Sequence, residues 1–78
     1  MENVIETVKI NRKAVGAKLA ELREARELTQ EAVGEALGLL PNPRARIWNF
    51  EHGVGLTIEN IANLARFYEK PIEFFINE

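Results

Sequence analysis

The chain has 78 residues, 46% of them hydrophobic, with no cysteine, a single histidine and a formal net charge of −2. One domain fits that length, with a modest core and little room for a deep catalytic cavity. The lack of cysteine excludes a disulfide framework and a thiolate metal site, so packed elements alone must hold the fold.

Residues 1–10 carry Glu2, Glu6 and Lys9 among apolar neighbours and do not read as a secretory signal. No run is long and apolar enough to cross a membrane, so a cytoplasmic protein is the expectation. The β-branched Val4, Ile5, Val8 and Ile10 suit an extended arm. The spacing Ile5, Val8, Arg12, Val15 permits a longer first helix equally well, so residues 1–11 stay open between an N-terminal arm and a helix extension. Val15, Leu19 and Leu22 then recur at helical spacing, predicting an amphipathic helix over roughly residues 12–26 with Asn11 as its cap.

Thr29 caps a second helix, and Glu31 suits its positive end. Val33 and Leu37 face inward. Gly34 costs about 1 kcal/mol relative to alanine inside a helix, which predicts a close approach by another helix. Gly38 ends the helix. Leu39 to Pro43 contains two prolines and cannot be regular helix. Pro43 opens a third helix that runs to Glu51, with Asn42 as cap and Gly53 as the left-handed stop. Thr57 caps a fourth helix with Ile58, Ile61, Ala62, Ala65 and Tyr68 inward. Pro71 opens a short fifth that carries Ile72, Phe74, Phe75 and Ile76. The class is all-α, with five short helices and residues 12–78 as one domain.

Leu19-x-x-Leu22-Arg23-x-x-Arg26-x-Leu28-Thr29-Gln30-Glu31, then Leu37-Gly38, then Ile47-x-x-Phe50-Glu51-x-Gly53, resembles the Cro and phage-repressor (xenobiotic-response-element) type of helix-turn-helix. The tail from Thr57 to Ala65 and from Pro71 to Phe75 continues the likeness, which spans roughly residues 15–76. The resemblance implies a five-helix lambda-repressor-like fold and a DNA-binding transcriptional regulator. It also implies that Gln30 holds a backbone phosphate at the start of the second helix. Arg23 and Glu51 would form an ion pair that orients the recognition helix without touching DNA. Two departures stand out. The turn before the third helix holds an insertion of about three residues, Leu39 to Asn42, which can re-aim that helix. Val54-Gly55-Leu56 stands where the family tends to carry Lys or Arg after the glycine, which removes phosphate contacts.

Ile47 and Phe50 fix the buried side of the third helix. At about 100° per residue, Ala45, Trp48 and Asn49 point away from the core, with Arg44 and Arg46 on opposite flanks. Such domains present the start of this helix to base edges. There Arg44 can bind guanine through two hydrogen bonds, Asn49 can pair with adenine, and Ala45 can touch a thymine methyl. Arg46 is better placed for phosphate, and Thr29 and Gln30 join the same surface from the second helix. Each has a plainer alternative as a solvated polar residue. Trp48 either joins this surface, covers the Leu39–Asn42 loop or marks a partner site. His52 reads as a polar residue near a helix end, since no second His or Cys exists to share a metal.

No aspartate, no cysteine, one histidine and no glycine-rich phosphate loop leave no acid–base or nucleophile set, so neither enzyme activity nor a cofactor is expected. One helix in one groove reads too few base pairs for useful specificity, which predicts a homodimer on two half-sites. Phe74 and Ile76 are the candidate interface, with Ile72 and Phe75 turned to the core and the N-terminal arm a second candidate. The rival to DNA is a protein-interaction module with the same shape, such as an antitoxin or anti-regulator. Charge keeps both open. Residues 1–29 hold six Lys/Arg and five Glu, residues 30–53 two and three, and residues 54–78 two and four.

Overall fold

A computed structural model describes residues 10–76, and the choice between arm and helix extension over residues 1–9 lies outside them. Five helices follow in order: α1 Arg12–Ala25, α2 Gln30–Ala36, α3 Pro43–Glu51, α4 Ile58–Phe67 and α5 Glu73–Ile76, with no strand among the described residues. Three starts are fixed by side-chain caps. Asn11 accepts from the Ala14 amide at 3.1 Å, Thr29 from Ala32 at 3.0 Å, and Thr57 from Asn60 at 3.1 Å. Asn42 precedes α3 as read, but its side chain makes no capping bond. Its ψ of 70° differs from the values near 160° at Thr29 and Thr57, so its carboxamide is not aimed at the first turn.

The first four helices stop alike. In α1 the Leu28 amide returns to the Arg23 carbonyl, and in α4 Lys70 returns to Ala65. In α2 and α3 the same return runs from Leu39 to Gly34 and from Val54 to Asn49. Each motif needs one left-handed residue. Gly38 and Gly53 supply it for α2 and α3, but Glu27 (φ 58°) and Glu69 (φ 60°) supply it for α1 and α4.

Val15 and Leu19 of α1, Val33 of α2, Ile47 and Phe50 of α3, Ile61, Leu64, Ala65 and Tyr68 along α4, and Phe75 of α5 bury one common core. Two expectations for α4 change. Ile58 lies 48% exposed, because it overhangs the core at the first helical position, and Leu64 takes the inward place instead. Backbone contact sets how close α3 can come. A Cβ on Gly34 would collide with the Pro43 carbonyl oxygen, and one on Gly16 with the Glu51 carbonyl oxygen. The gap in α2's propensity therefore lets the start of α3 sit against it, and Gly16 does the same for the end of α3.

Tyr68 is 1% exposed, and burial pushes its phenol up from 10.0 to about 12, with the Glu51 charge adding to the shift and Arg23 and Arg26 opposing it. The fold thus favours the neutral phenol. Its contribution is fully present below the unfolded value and is lost as pH rises from about 10 towards about 12, amounting to about 2–3 kcal/mol. Tyr68→Phe should remove this part of the alkaline stability loss. Urea denaturation of both forms across that range, with phenolate absorbance of the single tyrosine as a second readout, checks it. Equal slopes with pH would rule it out.

Candidate nucleic-acid interface

With Ile47 and Phe50 buried, α3 turns Arg44, Ala45, Arg46 and Trp48 to solvent, and Asn49 is half-buried. The start of α2 lies alongside. Thr29, Gln30, Glu31, Arg44 and Trp48 line one open concavity together with Arg23 and Leu28. A second, between the long turn and α3, is lined by Glu31, Pro41, Asn42, Pro43, Arg44, Ala45, Trp48 and Asn49. Six of the seven residues singled out for this surface therefore converge. Arg46 borders neither concavity.

Beneath it lies a three-helix junction. Arg23 Nε donates to Glu51 Oε2 at 2.7 Å and Nη2 to Oε1 at 3.1 Å, a bidentate pair with side chains 14% and 5% exposed. Arg23 Nη1 also donates to the Leu28 carbonyl at 3.0 Å. The hydrogen bond to Glu51 raises the guanidinium's pKa, and burial opposes it. Gln30 Nε2 donates to Glu51 Oε1 at 3.0 Å. That bond uses one of two amide hydrogens, and the other is uncommitted among the described residues. The Thr29 hydroxyl accepts from Ala32 and keeps its own hydrogen to donate.

Arg12 and Lys18 of α1, and Arg26 just past its end, line neither concavity. Arg12 Nε bonds the Leu56 carbonyl, Lys18 Nζ that of Phe74, and Arg26 Nη2 that of Tyr68, at 2.8, 2.9 and 2.8 Å. Among the described residues, Arg44 and Arg46 make no side-chain hydrogen bond or ion pair. In α5 Phe74 is 39% exposed and Ile76 half-buried. The Phe74 ring has Lys18 Nζ at 5.3 Å and Lys70 Nζ at 5.1 Å from its centroid.

Two participants escaped the sequence reading. Glu31 lines both concavities, although it reads only as a favourable helix-end charge. His52 stacks on Trp48, with ring centroids 3.7 Å apart and planes 17° from parallel. Their i, i+4 spacing on one helix is the signal that could have linked them.

A family model described as helix-turn-helix matches residues 19–75. No curated protein and no solved structure matches the chain. Among the described residues no helix is long and apolar enough to cross a membrane, and no cluster of three His, Cys or acidic side chains could hold a metal.

Breaking the junction from one side leaves a buried carboxylate unpaired. Arg23→Met should cost about 3–5 kcal/mol in urea denaturation, and the double variant Arg23→Met, Glu51→Leu should lose less than that single change. A single variant as stable as the parent would show the pair to be dispensable.

Proposed function

The chain belongs to the helix-turn-helix family of the Cro and phage-repressor type, a family of DNA-binding regulators, and we propose that it is a cytoplasmic repressor that binds a two-fold operator as a homodimer. The observation that carries this is the convergence of Thr29 and Gln30, at the start of α2, with Arg44, at the start of α3, around one concavity. Donors at those two helix starts span a phosphate and the adjoining base edges when α3 enters the major groove. Gln30, oriented by Glu51, and Thr29 hold a backbone phosphate. Arg44 takes guanine, Asn49 takes adenine, Ala45 lies against a thymine methyl, and Arg46 reaches a phosphate on the far flank. No cofactor takes part.

A second reading, a protein-interaction module such as an antitoxin or anti-regulator, draws on the exposed Leu40, Trp48, Val54 and Ile58 and on the net charge of −2. Salt-dependent binding to duplex DNA separates the two. After selection of a bound sequence from random duplexes, Arg44→Ala should relax base preference and cost about 1–3 kcal/mol. Arg46→Ala should weaken all sequences alike and flatten the salt slope by about one. Parent-like binding by both would remove this surface.

Dimerisation is proposed through Phe74 and Ile76. Phe74 supports it by staying 39% exposed, with Lys18 and Lys70 beside its ring and one edge against Phe75. Sedimentation of Phe74→Glu beside the parent, with and without operator DNA, should show the variant alone failing to pair. A parent that stays monomeric in both conditions, or a variant that pairs equally well, would discard this interface.

A further inference from the structure

Trp48 is 48% exposed in the middle of α3, yet its indole is held in place. Side chains on a helix lean back towards its N-terminus, which brings the ring of residue i+4 over residue i. His52 does this, lying parallel to the indole at 3.7 Å. Its Nδ1 sits 2.8 Å from the Trp48 carbonyl oxygen, which can only accept, so the imidazole donates there and is fixed to the same residue on which it stacks. The indole therefore has one face covered, and Trp48 borders both concavities that Arg44 shares.

We infer that Trp48 reads a thymine by its C5 methyl and that His52 is the positioning residue that fixes the indole for it. This rests on the DNA-facing reading of α3 given above. A thymine methyl is the one apolar group on the major-groove edge of a base pair. A flat, immobilised indole beside Arg44 meets it without losing rotamer freedom on binding.

The test replaces each thymine of a selected duplex in turn by uracil, which differs only in lacking that methyl. Fluorescence anisotropy compares the parent with Trp48→Ala, His52→Ala and His52→Phe. Apart from any thymine held by Ala45, whose loss Trp48→Ala would leave unchanged, the parent should lose about fourfold in affinity at one further position, the worth of one buried methyl. Trp48→Ala should be indifferent there, His52→Ala should lose most of the discrimination, and His52→Phe, which keeps a flat ring, should restore it. The emission of the single tryptophan in the free protein should shift in His52→Ala and confirm that the stack is lost. A parent that binds DNA but ignores every uracil overturns this inference and leaves the DNA reading standing. A parent that binds no duplex overturns both. Discrimination that survives Trp48→Ala gives the methyl to another residue, and a His52→Ala variant equal to the parent removes His52.

Discussion

The Glu51 carboxylate ends α3 but accepts its hydrogen bonds from two other helices, from Arg23 late in α1 and from Gln30 at the start of α2. A carboxylate that is 5% exposed needs such partners in place of water, and satisfying it leaves those helix ends little freedom. Arg23 also holds the Leu28 carbonyl, so the link between α1 and α2 is tied to the same point. The hydrophobic core brings the helices together. This junction adds direction, because bidentate hydrogen bonds tolerate less rotation than apolar contacts do.

The close approach that makes the junction possible depends on two missing side chains. Gly16 and Gly34 let the backbone of α3 touch α1 at one end and α2 at the other. The position of α3 is thus set by main chain against main chain. Its outward residues, Arg44, Ala45, Arg46 and Trp48, take no part in that packing. The packed side and the side proposed to face DNA are thus opposite sides of one nine-residue helix.

Much of this is legible in the residues because the causes are local. Asn11, Thr29 and Thr57 announce helix starts through hydrogen bonds three residues long, and Gly38 and Gly53 announce ends through a backbone conformation that glycine adopts freely. Glu27 and Glu69 hide the other two ends, since a left-handed glutamate is held by its surroundings and not by its own preference. Gly34 reveals that something approaches α2, but not that it is Pro43. In the candidate site, the helical wheel finds Arg44, Ala45, Trp48 and Asn49. It cannot see that Gln30 is shared with Glu51, or that Glu31 lines the same concavities as Arg44. Those facts depend on how three helices meet, and no single helix carries that information.

Arg12 and Lys18 of α1, and Arg26 just past its end, each donate to a main-chain carbonyl of a distant segment, stapling α1 to the rest of the molecule. Cations engaged in this way are held away from the face that α3 presents. For a DNA reader this thins the sequence-blind part of the attraction, which comes from neutralised phosphates and released counterions. Bulk chromosomal DNA then sequesters fewer molecules. The ratio of target to background binding governs occupancy in a genome, and for such a reader that ratio would rest on what α3 presents to base edges and not on stray charge.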